Sequence, residues 1–118
     1  MSDVISISAQ IQHKIRQMDK AIEEISTRAN HKAESEAEYE KVLAVTILKL
    51  KNGLITEFEG QKIDKVAVSV MDKLAKGICW KEKLEMDKAE ADYRNLNTGL
   101  RILESQLCAY QSIFRYLT

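Results

Sequence analysis

The fold is decided by residues 86–117, which read MDKAEADYRNLNTGLRILESQLCAYQSIFRYL. Large or apolar residues recur in this stretch at alternating steps of three and four, at Met86, Ala89, Tyr93, Leu96, Leu100, Leu103, Leu107, Tyr110, Phe114 and Leu117. Such spacing predicts a long helix whose apolar stripe packs against another helix. A helix over residues 78–117 would be about 60 Å long. No compact core surrounds a rod of that length, so a second long helix must cover the stripe.

The second long helix is predicted over residues 3–52. Its apolar residues also follow helical spacing, at Val4, Ile7, Ile11, Ile15, Met18, Ile22, Ile25 and Ala29. The stripe thins near Asn30 and His31, which are the favoured position for a kink, and it resumes at Tyr39. A basic turn before Gly53 predicts the end of this helix, because glycine readily adopts the backbone conformation that closes a helix.

The segment between the long helices, residues 54–76, is predicted to be a loop followed by a short helix. Thr56 and Glu59 have the spacing of a helix capping box. Apolar residues then recur at helical spacing from about residue 62 to residue 76, and Gly77 is expected to stop the short helix. Trp80, near the start of the last helix, is expected to cover the joint between the three helices.

Two similar stretches indicate that the chain folds back on itself. Residues 36–41 and 90–95 lie at equal distances from Val66, so a hairpin would place the following pairs at the same level: Tyr39 with Tyr93, Ile25 with Leu107, Ile22 with Tyr110, Met18 with Phe114, and Ile15 with Leu117. Apolar residues then meet apolar residues along the whole length. The sequence predicts an all-α fold in one domain, residues 1–118: a long, coiled-coil-like antiparallel helical hairpin with a short helix at the connecting tip.

Composition and charge disfavour several classes of protein. Of the 118 residues, 18 are Lys or Arg and 18 are Asp or Glu, so the formal net charge is zero, unlike that of a general nucleic-acid binder or a DNA mimic. The N-terminus lacks the pattern of a signal peptide, and the apolar run 43–48 is too short to span a membrane. Cys79 and Cys108 would lie about 43 Å apart on one helix, too far for a disulfide. We therefore expect a cytoplasmic protein.

The residues that carry chemistry do not form a recognisable active site. The two histidines, His13 and His31, are far apart in the sequence, and His31 precedes Glu34 in the order opposite to that of di-metal helical bundles. Glu82 and Glu85 stand among lysines, as surface ion pairs do. We therefore expect no enzymatic activity, no cofactor and no metal. Gly99, inside the last helix, marks either a close backbone approach or a tolerated surface glycine.

Two surfaces are candidates for binding. Lysines outnumber acidic residues around the tip, which suggests contact with a nucleic-acid backbone through Lys62, Lys65, Lys73, Lys76, Lys81 and Lys83. Ordinary solvated helix ends would show the same composition. In the hairpin register above, the last helix ends opposite Ile15, and an apolar patch is left without a partner in its own chain, at Val4, Ile5, Ile7 and Ile11. A second copy or another protein is expected to cover this patch, unless a break near Asn30 folds the first helix back.

The order of these signals resembles a group of small helical proteins encoded by phages and prophages of Gram-positive bacteria. The shared features are an Ala-x-x-Tyr stretch with a basic apolar run ending in glycine, a short middle helix, a second Ala-x-x-Tyr stretch and a Leu-rich tail. Here they correspond to residues 36–53, 63–77, 88–95 and 100–115. The resemblance implies a product of a phage early region, near recombination and replication functions, without a catalytic motif.

Three functions are compatible with the sequence. The first is a non-enzymatic phage-type interaction protein that binds a protein partner, either phage DNA-metabolism machinery or a host or defence protein, and that self-associates as a homodimer or larger oligomer. The second is a nucleic-acid-binding accessory protein in phage recombination or replication that uses the basic tip. The third is a purely structural oligomer. No membrane partner is expected.

Overall fold

The computed structural model describes residues 2–64 and 66–118. Its elements are the helix α1 (Ser2–Lys51), the strands β1 (Glu57–Phe58) and β2 (Gln61–Lys62), and the helices α2 (Val68–Ile78) and α3 (Trp80–Leu117). The protein is an all-α helical hairpin in which the short helix α2 belongs to the connection, so the predicted fold class is confirmed. The two long helices begin and end within two residues of their predicted bounds.

The helix α1 is continuous through Asn30 and His31, where a kink was favoured. It ends as its sequence predicts. Gly53 has a φ of 70°, its amide donates to the carbonyl of Leu50 at 3.3 Å, and the amide of Leu54 donates to the carbonyl of Lys49 at 2.9 Å. This pair of hydrogen bonds is the Schellman motif, which satisfies the last carbonyls of a helix and requires a residue that tolerates positive φ.

The predicted capping box at Thr56 and Glu59 is wrong, because these residues belong to a β-hairpin. Strands β1 and β2 pair antiparallel and are joined by Glu59 and Gly60, whose φ angles are 51° and 76°. Two consecutive positive φ angles in a two-residue connection are the mark of a type I′ turn, whose twist matches that of paired strands. The pairing extends one step further, since the amide of Ile63 donates to the carbonyl of Thr56 at 2.8 Å.

The short helix is also displaced from its predicted position at about residues 62–76. Strand pairing occupies Lys62 and Ile63, so α2 begins only at Val68, after an extended Ala67. It continues through Gly77, which therefore does not stop it, and it ends at Ile78 with Cys79 as its C-cap. A Cβ added at Gly77 would lie 3.8 Å from Cε1 of Phe58. Gly77 thus lies where the β-hairpin packs on α2.

The chain divides into two compact units, and α1 and α3 each contribute to both. The tip unit comprises His31–Glu90 and contains all the described residues that are buried. Its core is formed by Leu50, Met71 and Ala75, so the last turns of α1 are covered by α2. Partly buried side chains surround this core, namely Leu43, Ile47, Ile55, Ile63, Val66, Leu74 and Ile78.

The two-helix unit consists of the chain up to Asn30 together with Ala91–Thr118. Its helices run antiparallel: Nη1 of Arg28 donates to the carbonyl of Asp92 at 3.2 Å, and Phe114 lies beside the start of α1. None of the described residues of this unit is buried, and its contact stripes are only half-buried. Two helices alone cover each other on one side, so a third or fourth helix would be needed to enclose these side chains.

The predicted hairpin register is wrong, by about three helical turns in the two-helix unit and about two in the tip unit. In the two-helix unit Phe114 lies beside Val4, Ile5 and Ser8, and not beside Met18 as predicted. In the tip unit Cys79, just before α3, contacts Thr46 instead of lying level with Gly53. The physical reason is α2, which covers the last turns of α1 and moves the start of α3 back along that helix.

Candidate functional site

A concavity in the tip unit has a volume of about 560 Å³. We call it the tip groove. It is mainly apolar, and Lys51, Thr56 and Asp64 supply the polar part of its lining. Its apolar lining consists of Leu50, Ile55, Ile63, Val66, Val68 and Met71. Concave, mostly apolar surfaces with a few polar groups are the usual form of a binding site.

The β-hairpin creates the tip groove. The type I′ turn at Glu59 and Gly60 sends the chain back toward α1, and the hydrogen bond from Ile63 to Thr56 holds the returning segment in place. Ala67, which is extended, then leads into α2, and the tip groove lies between the end of α1 and the start of α2. A shallower second groove on the same segment shares Ile63, Asp64 and Val66 with the first.

Large aliphatic side chains next to the tip groove are unusually exposed. Val68, which lines the groove, is 82% exposed, and Leu54, beside the closing glycine of α1, is 71% exposed. Leu48 and Val70 in the same unit are also exposed. Clusters of exposed aliphatic residues around a concave surface are typical of sites that bind other proteins. Sequence reasoning missed this site, because it placed Val66, Val68 and Val70 within a predicted amphipathic helix.

The predicted nucleic-acid contacts fall into two groups. Lys62, Lys73 and Lys76 are exposed and form no ion pair with any residue of 2–64 or 66–118. Lys81 and Lys83 are engaged with aromatic rings, as described below, and Lys65 lies outside the described residues. The structure therefore leaves three described lysines of the tip available for an anionic partner.

Trp80 does not have the position that was predicted for it at the junction of the three helices. Trp80 is 50% exposed, and Nζ of Lys81 lies 5.6 Å from the centre of its ring, so Trp80 does not seal the joint. The buried residue at this point is Cys79. Tyr39 is buried, and Nζ of Lys83 lies 5.7 Å from its ring and 3.1 Å from Oδ1 of Asp87. Lys83 is thus held by a cation–π contact with Tyr39 and an ion pair with Asp87.

Acidic side chains gather around His31 in the tip unit. Nε2 of His31 lies 3.1 Å from Oε1 of Glu85, and a shallow depression is lined by His31, Glu34, Ser35, Glu38, Glu82 and Glu85. The side chains of His31 and Glu85 are both more than half exposed. Within residues 2–64 and 66–118, no three His, Cys, Asp or Glu side chains are grouped so that they could hold a metal ion.

The predicted amino-terminal interface does have a neighbour in its own chain, contrary to the prediction. Val4, Ile7 and Ile11 are half-buried, and Ile5 is 66% exposed. Val4 and Ile5 share a shallow groove with Phe114, so α3 has not ended before it reaches them. The argument that these residues lack any partner in their own chain is therefore wrong. The exposed side chain of Ile5 keeps this region a candidate for association.

Among the described residues, no helix is both long enough and apolar enough to cross a membrane. Comparisons with family models, with curated proteins and with solved structures each found no match to the chain. The functional assignment therefore depends on the surfaces described above.

Proposed function

We infer that this chain is a non-enzymatic phage-type interaction protein whose tip groove binds a protein partner. The observation that carries the proposal is the joint presence of an apolar groove and exposed aliphatic residues at its rim, Val68 and Leu54. Each aliphatic side chain that becomes fully buried contributes about 1.5–3 kcal/mol, so a few anchors account for stable binding. Sites of this kind usually bind through a small number of central apolar anchors.

The expected partner presents an apolar segment with flanking charges of either sign. Lys51 and Asp64 line the same groove as Leu50 and Val66, so the groove offers one cation and one anion beside an apolar floor. Charged groups at a rim chiefly set orientation and association rate, whereas the apolar floor supplies the free energy of binding. The resemblance to phage proteins supports the proposal that this partner is a phage DNA-metabolism protein or a host or defence protein, met in the cytoplasm.

The test is affinity capture from the native host, after nuclease treatment, with the wild type and two variants. Val68→Asp places a charge at the groove and, as the first residue of α2, is compatible with the helix because acidic residues stabilise helix starts. Leu84→Asp makes the same kind of change at an exposed position of α3 in the same unit. We expect one protein to be recovered by the wild type and by Leu84→Asp and to be lost with Val68→Asp.

Equal recovery by all three proteins would contradict the role of the tip groove. A variant that lost its helical circular dichroism would be replaced by Leu54→Asp, whose side chain is 71% exposed outside any helix. The same experiment read by mass spectrometry identifies the partner.

A second candidate function is nucleic-acid binding in recombination or replication. The observation that favours it is the exposure of Lys62, Lys73 and Lys76 without ion pairs to the described residues. Phosphate contacts by lysine are strongly salt-dependent. Recovery of a partner that disappears on nuclease treatment would favour this function over the first. A purely structural oligomer, the third candidate, would recover neither a protein nor a nucleic acid.

A further inference from the structure

Strand β2 has an outer edge to which no further strand of the described chain is added. The sheet consists of β1 and β2, in which Glu57 pairs with Lys62. Because the amide of the next residue, Ile63, donates to the carbonyl of Thr56, the Glu57–Lys62 pair is one whose backbone groups point away from each other. The amide and the carbonyl of Lys62 therefore point outward from β2. An outward-pointing row of this kind is able to pair with another strand.

Asp64 repeats this geometry two residues further along. The chain has no turn or bend at Ile63 or Asp64. Since directions alternate with a period of two in an extended strand, the backbone groups of Asp64 point outward like those of Lys62, and the two side chains lie on the same face. Both side chains are exposed, and neither forms an ion pair with another described residue. An added strand would thus meet one cation and one anion.

An apolar groove lies beside this edge, on the face opposite to the two charges. The side chain of Ile63 points to that face and packs against the tip core. The groove is the shallower second one described above, and we call it the edge groove. Its lining includes Lys62 and Asp64, and the other described residues of its lining are apolar: Ile63, Val66, Ala67, Val70 and Leu74. A strand added to β2 would bond to the edge and direct alternate side chains into the edge groove.

The sequence of this edge is complementary to itself. If β2 of a second copy runs antiparallel beside β2 with a two-fold axis at Ile63, Lys62 of each copy lies opposite Asp64 of the other. These are the positions whose backbone groups point outward, so each pair can exchange both of its backbone hydrogen bonds. The two copies of Ile63 form the pair between them, and their side chains meet over the edge groove. An axis at Lys62 or at Asp64 would instead place like charges opposite each other, so the charges select one register.

Opposite charges are nearer to each other than like charges in this register. Directly opposite residues, Lys62 and Asp64 of the second copy, have Cβ atoms about 5 Å apart, whereas the two copies of Lys62 are diagonal neighbours at about 7–8 Å. Glu57, which pairs with Lys62 in its own hairpin, places a second acid beside each Lys62. A lysine on a strand edge normally discourages pairing. Here a strand that carries an acid at the matching position removes that obstacle, and β2 itself is such a strand.

We propose that two copies of this chain associate by pairing β2 with β2, antiparallel about a two-fold axis at Ile63. The same surface serves both copies, as a two-fold interface requires. The inference goes beyond the proposed function and does not depend on it, since neither Val68 nor Leu54 lines the edge groove. The contact involves one short strand from each copy and is smaller than most permanent interfaces. The dimer therefore dissociates on dilution, and its mass depends on protein concentration.

The first test reverses the charges of the edge. Mass is measured by light scattering over a concentration series for the wild type, Lys62→Asp and Asp64→Lys. Each reversal turns both opposite-charge pairs into like-charge pairs, so each variant should dissociate at least about tenfold more readily than the wild type. An equal mixture of the two variants again pairs acidic with basic side chains and should recover association. Lys41→Asp, at an exposed position of α1 in the same unit, is the matched control and should behave as the wild type.

The second test locates the axis by disulfide formation in the full chain. Ile63→Cys is made in a Cys108→Ser background, so that the one remaining native thiol is that of buried Cys79. The two copies of residue 63 face each other with Cα atoms about 4.5 Å apart, and mild oxidation should produce a covalent dimer. Gln61→Cys in the same background is the control. Its two copies are displaced by about 13 Å along the strands, beyond the roughly 7 Å limit for a disulfide.

Three results would overturn the inference. The first is a wild type that stays monomeric at millimolar concentration, and the second is a mixture of the two charge variants that fails to associate. The third is equal crosslinking by the two cysteine variants, or none by either while both keep their helical circular dichroism. Partner capture should be unchanged in Lys62→Asp, because Lys62 does not line the tip groove. Failure of the dimer and failure of the proposed function are therefore read separately.

Discussion

Oγ1 of Thr46 lies 3.3 Å from Sγ of Cys79, and this contact joins α1 to the single residue between α2 and α3. Thr46 is 6% exposed and Cys79 is 1% exposed, so the pair is shielded from water. A buried hydroxyl without a partner would cost about 1–3 kcal/mol, and the thiol removes that cost. The pair therefore fixes the point at which the chain turns from α2 into α3 against α1.

The two cysteines should differ greatly in reactivity. Cys79 is buried and Cys108 is exposed, and both are free thiols. A thiol reagent such as dithionitrobenzoate should react with one thiol per chain in the native protein and with two in denaturant, because the buried Cys79 is inaccessible to the reagent until the chain unfolds. The variant Cys108→Ser serves as the control and should show almost no native reaction. Rapid reaction of two thiols in the native protein would contradict the burial of Cys79.

Truncation of apolar residues should cost more in the tip unit than in the two-helix unit. Leu50 is buried in the tip core, and Leu50→Ala should lower the free energy of unfolding by about 2–5 kcal/mol. Leu103 and Leu107 are half-buried, and each replacement by alanine should cost about 1–2 kcal/mol. Urea unfolding followed by circular dichroism measures these values. An equal cost at Leu50 and Leu103 would contradict the uneven burial of the two units.

The same substitution at two glycines should have opposite effects. Gly99 lies within α3, and an added Cβ would meet no described atom within 4 Å, so Gly99→Ala should raise stability by up to about 1 kcal/mol. Gly53 has a φ of 70°, so Gly53→Ala should lower stability by about 1 kcal/mol. Thermal unfolding of the two variants in parallel checks both signs. A destabilised Gly99→Ala variant would indicate a close approach to Gly99, such as one made by a second chain.

Nucleic-acid binding, if it occurs, should depend on the tip lysines. Replacing Lys62, Lys73 and Lys76 together by glutamine should weaken binding and lower the slope of log affinity against log salt concentration by up to about 0.9 for each lost phosphate contact on duplex DNA. Fluorescence anisotropy with single- and double-stranded DNA measures the slope. Replacement of Lys14, Lys20 and Lys41 on α1 is the control and should leave it unchanged. No binding by the wild type at low salt would exclude the second candidate function.

The long helices were predictable because their information is local. The spacing of Leu96, Leu100 and Leu103 defines a helical stripe without reference to the rest of the chain, and Gly53 marks the end of α1 through its own backbone preference. The predicted bounds of α1 and α3 agree with the structure for this reason.

The connection was not predictable to the same degree. The turn at Glu59 and Gly60 uses a glutamate at positive φ, where asparagine or aspartate is the usual signal, so the β-hairpin has no clear sequence mark. The register between α1 and α3 was predicted wrongly because it depends on a tertiary contact. The core contact of Leu50 with Met71 and Ala75 displaces α3 along α1. The equal distances of residues 36–41 and 90–95 from Val66 do not reveal this displacement. The tip groove arises from the first of these features, the β-hairpin.

The uneven burial of the two units has a consequence for how the protein opens. Backbone amides exchange with solvent through local unfolding, and the free energy of that opening follows the burial around each segment. Amides near Leu50, Met71 and Ala75 should exchange only through global unfolding, whereas those near Ile15 and Ile102 should exchange through local unfolding of the two-helix unit. A second copy or a partner bound to the two-helix unit would suppress this local unfolding. The two-helix unit would then gain order on assembly, whereas the tip unit already has a buried core in the isolated chain.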